Sequence, residues 1–448
     1  MSQYRAYPAY KDSGIEWIGQ VPEHWQVKRL KHLISQCQNG VWGDDPLEDG
    51  SDTLCIRVAD FDRDNNVVIY NPSTYRQITK EHQDSRLVSK GDILLEKSGG
   101  GAQTLVGANV RYLGEEPAVC SNFVAVIKPS KMAESAWLNY LMASMYALKI
   151  NLRSIKQSTG IQNLDSEQYL DEGVAAPSLD EQATIAAALD RETARIDALV
   201  EKKTRFIELL KEKRQALITH AVTKGLDPNV KMKDSGIEWI GQVPEHWKIA
   251  QIKRISALNP RKSTLSEEKD SLCTFLPMEK LRTNAVTLDE TRPIHEVYGG
   301  YSYFSDGDIL IAKVTPCFEN GNIAVANGLV NGIGFGSTEI NVLRVNGKGH
   351  NRFLYYRLQE EQFRTIAKSE MRGTGGLKRV PTDLFESFTI GLPDTDEQAT
   401  IAATLDRETA RIDTLIGKAE QSITLLKERR AAFITAAVTG QIDLRGKQ

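Results

Sequence analysis

The sequence lacks the features that mark membrane-spanning, secreted and metal-binding proteins. No apolar run approaches the ~18 residues that a membrane-spanning helix needs, and the first residues contain no apolar segment typical of a signal peptide. The five cysteines are odd in number, lie far apart and form no CxxC pair, so we expect free thiols and no metal site. These absences predict a cytoplasmic protein without a membrane partner.

Motifs of DNA-modifying and DNA-translocating enzymes are also missing. A DNA methyltransferase needs an Asn/Asp-Pro-Pro-aromatic tetrapeptide, and segments 71–74 and 259–262 lack its second proline and its aromatic residue. The ATPase pattern GxxxxGK[ST] is absent. Asp92 and Glu96 would share one face of a strand, as in a metal-dependent nuclease, but Lys97 would point to the other face. We therefore predict no catalytic residues, no cofactor and no metal.

The most regular feature is a pair of similar stretches, residues 178–222 and 394–438. The tripeptide Asp-Glu-Gln at 180–182 recurs 216 residues later, at 396–398. Neither stretch contains proline, and the single glycine is Gly417. Each stretch therefore predicts a helix of roughly 40 residues, about 60 Å long.

Both stretches carry helix caps and a narrow apolar stripe. The side chains that can accept hydrogen bonds from the first turn are Ser178, Asp180, Asp394 and Asp396. The stripe comprises Ile185, Leu189, Ile196, Leu199, Phe206, Leu210, Leu217 and Ala221 in the first stretch, and Ile401, Leu405, Ile412, Leu415, Ala419, Ile423, Leu426, Phe433 and Ala437 in the second. This spacing favours a coiled-coil seam, and we expect the two helices to pack antiparallel.

A second repeat precedes the helices. Residues 11–25 and 233–247 contain the same fifteen letters, KDSGIEWIGQVPEHW, which indicates internal duplication. The tract is rich in aromatic and turn-forming residues. We expect each copy to pack the start of a repeat against a neighbouring element, with His24 and His246 buried or hydrogen-bonded rather than binding a ligand.

Between each tract and its helix lies a variable segment of short β-type runs, followed by one amphipathic helix near 134–150 or 350–368. These segments predict α+β domains of similar topology. The predicted order is a conserved tract (1–25), a first variable domain (26–176), a central long helix (177–222), a linker with the repeated tract (223–247), a second variable domain (248–392), and a distal long helix with its tail (393–448).

This arrangement resembles the specificity (S) subunit of type I restriction–modification enzymes. The similarity is carried by the two tracts and by the turns at 177–182 and 393–398, which lead into the helices. It implies two similar α/β target-recognition domains separated by two long antiparallel coiled-coil helices, related by a pseudo-two-fold repeat. It also implies a non-catalytic chain in which each domain reads one half of a bipartite, asymmetric site in double-stranded DNA.

The resemblance further implies protein partners. In that family the helices act as a spacer ruler and dock two copies of a methyltransferase (M) subunit, and a restriction (R) subunit joins the assembly. The residues expected to bind partners are Gln182, Ile185, Arg191, Gln398, Ile401 and Arg407.

Candidate DNA contacts lie in loops that combine glycine with cationic or hydroxyl side chains. A net charge of −3 argues against a generally basic surface, so positive charge should be local. In the first domain the candidates are Lys97, Ser98, Gly99, Gly100, Gln103, Lys156, Gln157, Ser158, Thr159 and Arg57, the last with Trp42 nearby in the chain. In the second they are Lys313, Thr315, Asn320, Arg372, Thr374, Lys378 and Arg282.

Two alternatives stay open. The glycine-rich stretches at 156–161 and 372–378 could be connectors whose glycines only permit turns. The whole chain could also be a non-catalytic protein scaffold with two modules on a helical hairpin. A DNA reader should bind a defined split site with steep salt dependence, and a scaffold should not.

Overall fold

A computed structural model of the chain describes residues 5–100, 104–158, 160–262, 265, 268, 270–374 and 376–446. It divides into two compact units, unit 1 (Met1–Lys203 with Gln421–Gln448) and unit 2 (Thr204–Glu420). Each long helix contributes residues to both units, a division that the predicted six-part order did not include. Within the described residues, no helix is both long and apolar enough to cross a membrane.

Unit 1 contains short strands, three short helices and part of each long helix. The strands are β1 (Tyr10–Asp12), β2 (Gln20–Pro22), β3 (Gln26–Arg29), β4 (Ile34–Asn39), β5 (Thr53–Ile56), β6 (Phe61–Asp62), β7 (Val67–Val68), β8 (Tyr75–Arg76), β9 (Ile93–Glu96), β10 (Ser98–Gly99), β11 (Asn109–Arg111), β12 (Ala118–Cys120), β13 (Val124–Pro129), β14 (Ile155–Ser158), β15 (Ile161–Leu164) and β16 (Gly173–Ala176). The helices are α1 (Lys80–Arg86), α2 (Ser135–Ala147), α3 (Ser166–Leu170) and α4 (Leu179–Lys224).

The central strand β9 shows how the first domain is layered. Its sheet has the order β4-β13-β9-β11-β7-β6, and a second sheet has the order β12-β5-β8. Ile93 and Leu95 are buried with Trp137 of α2, whereas Leu94 is buried in another cluster with Ile56 of β5. Because side chains alternate along a strand, β9 packs against a hydrophobic core on each of its two faces. Its sequence is therefore a continuous apolar run over 93–95.

Unit 2 repeats this plan. Its strands are β17 (Met232–Asp234), β18 (Gln242–Pro244), β19 (Lys248–Gln251), β20 (Ser256–Leu258), β21 (Leu272–Leu276), β22 (Leu281–Arg282), β23 (Ala285–Val286), β24 (Thr291–Pro293), β25 (Ser302–Ser305), β26 (Ile309–Ala312), β27 (Ile323–Val325), β28 (Ile333–Gly336), β29 (Ile340–Val345), β30 (Arg372–Thr374), β31 (Leu377–Arg379) and β32 (Thr389–Leu392). Its helices are α5 (Ile294–Val297), α6 (Asn351–Arg357), α7 (Glu361–Ser369), α8 (Leu384–Ser387) and α9 (Thr395–Val438).

The sheets of unit 2 have the orders β20-β29-β26-β27 and β24-β21-β28-β25. Strand β26 alternates between two cores as β9 does, with Ile309 and Ile311 facing the cluster of Phe353 and Leu310 facing the other. The single helix predicted near 350–368 is wrong, because the chain forms α6 and α7 with a break between them. Glu360 accepts hydrogen bonds from the first backbone N–H groups of α7 and so starts that helix anew.

The two long helices match their prediction closely. Helix α4 has 46 residues and α9 has 44, about 69 and 66 Å at 1.5 Å per residue. Ser178 Oγ accepts a hydrogen bond from Glu181 N, and Asp394 Oδ1 accepts one from Glu397 N. Past the end of α4, Gly225 has φ +80°, a left-handed conformation that ends a helix at little cost.

Within each unit the long-helix segments run antiparallel, as predicted. In unit 1, Asp197 pairs with Arg430 at 3.0 Å, and nearer the start of α4 Glu181 lies 3.9 Å from Arg445 in the tail that follows α9. The numbering therefore rises along one segment and falls along the other. In unit 2, Arg214 pairs with Asp413 at 3.2 Å. There, the end of α4 shares a core cluster with the start of α9.

Three members of the predicted apolar seam are exposed, and Leu217, Ile423 and Leu426 are only half-buried. Leu199, Phe206 and Leu415 are exposed, whereas Ile207, which the prediction left out, is buried. Neighbouring positions lie about 100° apart around a helix, so a local change between three- and four-residue spacing turns Phe206 outward and Ile207 inward.

The repeated tract packs against the start of its long helix, which confirms the predicted packing role. In unit 1, Trp25 is fully buried and its indole N–H donates to Glu181 at 3.2 Å, and His24 Nε2 lies 2.8 Å from the same carboxylate. In unit 2, Trp247 and His246 contact Glu397 at 3.1 and 2.8 Å.

Candidate nucleic-acid interface

Two separate predicted contact segments of the first domain form one small sheet. Strand β10 follows the central strand β9 and pairs antiparallel with β15, with Ser98 opposite Asn163 and Gly99 opposite Gln162. Strand β15 pairs in turn with β14, with Lys156 also opposite Asn163. The stretch predicted as a loop or connector is therefore a β-hairpin, and it lies beside the segment at 97–100.

The polar side chains of this small sheet are held by near neighbours. Lys97 Nζ donates to Asn39 Oδ1 at 2.8 Å, and Ser98 Oγ lies 2.5 Å from Asn163 Oδ1. Lys156 Nζ lies 2.7 Å from Asp165, and this hydrogen bond raises the pKa of Lys156. Lys97 has a neutral partner, so its charge is not cancelled and can attract phosphate.

A pocket of about 540 Å³ adjoins this sheet in the first domain. We call it the aromatic pocket, and its wall includes Trp42, Arg57, Glu96, Ser98, Gly99 and Phe123. Trp42 is 38% exposed and Phe123 is 49% exposed, while Glu96 is only 2% exposed. Arg57 and Trp42 thus lie in the same pocket wall as the predicted contact residues 98–100.

Glu96 is a buried carboxylate with one strong partner. Arg63 Nη2 donates to Glu96 Oε2 at 2.8 Å. Burial raises the pKa of Glu96, and the nearby charge and hydrogen bond of Arg63 oppose that rise. Arg63 is positioned by Tyr146, whose hydroxyl accepts a 3.2 Å hydrogen bond from Nη1.

The second domain brings the corresponding segments together. Strands β30 and β31 form a hairpin, and Arg379 bridges to Val314. Thr315 N donates to Lys378 O, Lys378 N donates to Thr315 Oγ1, and both distances are 2.9 Å. Lys313, Thr315, Arg372, Thr374 and Lys378 therefore lie on one local structure, and the hairpin residues among them are exposed.

Backbone registers show which residues correspond. Lys97 N donates to Phe123 O at 2.8 Å, and Lys313 N donates to Glu339 O at 3.0 Å. Phe123 and Glu339 thus hold the same position in the two domains. Arg379 forms two short contacts with Glu339, down to 2.8 Å, and this hydrogen bonding lowers the pKa of Glu339.

The remaining predicted contact residues lie outside the two hairpin structures or outside the described residues. Asn320 is exposed on the turn after the 313–315 segment. Arg282 lies in the hairpin of β22 and β23, and the next residue, Thr283, donates to Gly321 O at 2.8 Å. Gln103, Thr159 and the side chain of Ser158 lie outside the described residues. Across the described part of the chain, no cluster of three or more His, Cys, Asp or Glu is placed to hold a metal ion.

A family model identifies what these paired domains belong to. The model described as "Type I restriction modification DNA specificity domain" matches residues 22–209 and again 244–425, which is more than half of the chain. The chain belongs to this type I specificity family. The double match also agrees with the internal repeat seen in the tracts, the long helices and the two layered domains.

Curated specificity subunits are similar to this chain. The EcoEI and EcoAI specificity subunits of Escherichia coli are 31% and 35% identical to it over 199 and 188 residues, or 44% and 41% of this chain. The matched parts span about a third of those two relatives, 33% and 31%. The MjaVIII specificity subunit of Methanocaldococcus jannaschii is 24% identical over 95% of this chain and 94% of its own length.

Solved structures share the fold of this specificity-family chain. One comes from a study of complex assembly and conformational transition of the type I R-M system, with a TM-score of 0.68 at 15% identity, covering 93% of this chain and 98% of the other. The HsdS subunit of Thermoanaerobacter tengcongensis gives a TM-score of 0.54 at 17% identity, covering 94% and 98%.

Four of the six predicted partner contacts of this type I specificity chain are wrong, because their side chains are fully buried. They are Gln182, Ile185, Gln398 and Ile401. Gln182 Oε1 accepts a hydrogen bond from Glu134 N at 2.7 Å, and Gln398 Oε1 accepts one from His350 N at 2.9 Å. Their amide groups therefore tie each domain to its own long helix. Arg191 and Arg407 are exposed and remain candidates.

Several features of the interface were not predicted from sequence. Phe123 immediately precedes β13, and its backbone position is set by the hydrogen bond from Lys97 N, so its exposure depends on the pairing of distant segments. Ile161 and Leu377 begin the second strand of each hairpin at matched positions, and both are exposed. A glycine with positive φ precedes each of them, and this Gly-apolar pair was the signal available in the sequence.

Proposed function

We propose that the chain reads a split DNA site, with one half recognised by each variable domain. The observation that carries this proposal is the matched small structure beside β9 and β26, which has the same backbone pairing and different side chains. Lys97 supplies positive charge in the first domain and Lys378 supplies it in the second, whereas Lys156 and Arg372 lie beside them in ion pairs with Asp165 at 2.7 Å and Glu370 at 3.5 Å. Phosphate contacts of this kind fix register, and the neighbouring side chains read bases.

We also propose that the chain catalyses nothing itself and that its helices set the distance between the half-sites. The length of α4 and α9, without a proline or an interior break, supports a stiff spacer. Half-sites about one turn of DNA apart, roughly 34 Å, suit such a spacer. An asymmetric site follows from the difference between the two domains.

Partner docking has its own candidate surface on the long helices. Arg191, Arg195 and Leu199 are exposed on α4 at a spacing of four residues, which places them on one helix face. Arg407, Arg411 and Leu415 repeat that face on α9, also exposed. A surface that occurs twice in one chain suits two copies of one partner. We propose that each copy binds one methyltransferase subunit and that a restriction subunit joins the assembly.

Methylome sequencing tests the reading function. Cells that carry the chain and its methyltransferase should show one bipartite motif that disappears when the chain is deleted. Exchanging residues 26–176, which include the β14–β15 hairpin, for another first domain should change one half of the motif only. A change in both halves would contradict independent reading by the two domains.

The spacer and docking proposals need separate variants. Inserting one helical turn into both α4 and α9 should lengthen the gap in the motif and leave both half-sites unchanged. Replacing Arg191 and Arg195 by Glu should reduce the number of bound methyltransferase subunits from two to one, measured by native mass spectrometry. Lys211→Glu, on another face of α4, is the matched control and should leave two bound.

A further inference from the structure

The aromatic pocket of the first domain is larger and more apolar than a surface that only touches phosphate requires. Its volume is about 540 Å³, within the range of small-molecule sites. Trp42 and Phe123 both line this pocket and are partly exposed, and Arg76 lies over one face of the Trp42 ring at 4.7 Å. Exposed aromatic rings are stacking platforms for unpaired bases. Glu96 also lines the pocket, and its carboxylate is almost completely buried.

We propose that this pocket receives one base turned out of the DNA stack in the half-site read by the first domain. The ring of the base would stack on Trp42 or Phe123, and an N–H group on its edge would donate to Glu96. Arg57, whose guanidinium lies 3.7 Å from Asp60, is the cationic group in the wall that could reach the adjoining phosphate. This inference rests on the proposed reading function, and it adds a binding mode that groove contacts do not include.

Burial decides between an extruded base and an ordinary groove contact. A base edge in the major groove can be reached only by side chains that project from the protein surface. Glu96 is 2% exposed and is held by Arg63, so a base must enter the pocket to reach it. Ser98 and Gly99, which we place at the DNA, form part of the pocket wall, so the pocket adjoins the proposed interface.

The second domain has different residues at the corresponding positions. Glu96 pairs with Val124 across β9 and β13, and Ala312 pairs with Ile340 in the same register. Phe123 corresponds to Glu339, whose carboxylate is engaged by Arg379. The acceptor and one stacking ring are thus replaced, and only the first domain should hold a base in this way.

Mismatch binding tests the proposal with the complex of this chain and its methyltransferase subunits. Each base pair of both half-sites is made a mismatch in turn by changing one strand, and affinity is measured by competition at fixed salt. Positions of methylated adenines are omitted, because methyltransferases extrude their own target base. One mismatch in the first half-site should tighten binding at least about five-fold, because extruding an unpaired base costs less. No mismatch in the second half-site should do so.

Variants then assign that effect to the pocket. Phe123→Ala and Trp42→Ala should reduce the mismatch preference to less than about two-fold, since a stacking platform is lost. Their affinity for the matched duplex should remain measurable and site-specific. Tyr70→Ala removes a side chain that is 96% exposed outside the pocket wall, and it should keep the full preference.

The outcomes separate the two proposals. Specific binding of the split site without a tightening mismatch would overturn the pocket proposal and leave the reading function intact. A tightening mismatch that survives both aromatic substitutions would also overturn it, because the base would then lie elsewhere. Absence of specific binding to any split site would overturn both.

Discussion

The two domains place opposite chemistry at one position of the same backbone. Phe123 in the first domain presents an exposed ring to a pocket, whereas Glu339 in the second pairs with Arg379. Both residues accept a hydrogen bond through their carbonyl oxygen from the lysine that follows the central strand. The strand pairing therefore fixes where a side chain is presented, and the side chain itself is free to differ between the two domains.

The attachment of each domain to its long helix uses the same side-chain contact in both domains. Tyr140 donates to Asp190 at 2.7 Å, and Tyr356 donates to Asp406 at the same distance. Beside this shared contact, the first domain has Leu141 and Ser144 where the second has the buried pair Arg357 and Glu360. Conserved anchors and variable neighbours can thus be compared directly by substitution.

The largest expected effect comes from breaking the buried ion pair. Arg357 is 3% exposed and Glu360 is 1% exposed, so Glu360→Ala should leave an unpaired buried charge and destabilise unit 2 by about 3–5 kcal/mol. Hydrogen exchange in unit 2 under increasing denaturant measures the loss. The matched change in unit 1, Ser144→Ala, should cost about 1 kcal/mol. Equal losses in both units would contradict this difference.

The shared glutamines should give equal, intermediate effects. Gln182→Ala and Gln398→Ala each remove a buried side chain that accepts from one backbone N–H and donates to carbonyl oxygens, including Pro177 O and Pro393 O at 3.0 Å. Each change should cost about 1–3 kcal/mol in its own unit, measured by the same exchange experiment. Exposed Gln168→Ala is the control, expected within about 0.5 kcal/mol of wild type. A loss confined to one unit would refute the equivalence.

Substitutions at position 123 or 339 should change DNA recognition by a free energy similar to that lost in the glutamine variants. Phe123→Glu should weaken use of the first half-site about ten-fold, since one specific base contact contributes about 1–3 kcal/mol. Glu339→Phe should affect the second half-site only. Methylation rates on duplexes altered in one half at a time separate these effects, and an equal loss on both halves would indicate misfolding instead.

The smallest effect concerns pH. Arg379 holds the pKa of Glu339 below its ordinary value, so the pair stabilises the fold above the unfolded pKa, about 4.3, and the contribution is lost as pH falls through the lowered folded pKa. Because Arg379 is nearly half exposed, we expect only a few tenths of a kcal/mol. Exchange protection of residues 372–379 between pH 6 and 3 measures it. Glu339→Gln should flatten that dependence, and an unchanged profile would exclude this pair as its source.

Elements that depend on local sequence were predicted well. The bounds of α4 and α9 follow from the absence of proline and from their cap residues. The packing role of the repeated tract follows from its aromatic residues, of which Trp25 and Trp247 are fully buried. The β14–β15 and β30–β31 hairpins were predicted only as glycine-rich stretches, because their short strands show no clear apolar alternation. Their pairing with distant segments, and not their own composition, makes them strands.

The errors in the predicted site share a physical cause. Gln182 and Gln398 are polar residues at the start of an exposed-looking helix, so they suggested a partner surface. Their burial depends on backbone N–H groups at 134 and 350, about 50 residues away in the chain. Phe206 and Ile207 differ by one position, and only tertiary packing decides which one is buried. No local pattern carries that information.

Because unit 1 is built from both ends of the sequence, it cannot be completed until the last part of the chain has been synthesised. Unit 1 combines Met1–Lys203 with Gln421–Gln448, and unit 2 is the continuous stretch Thr204–Glu420 between them. Phe433 and Ala437 belong to the same core cluster as Trp25 and Ile185. The inner unit is therefore fully synthesised before the outer one receives its last core residues. During translation, the apolar residues of unit 1 that pack on the end of α9 stay uncovered until α9 has been made, and such exposed apolar surface is prone to aggregation.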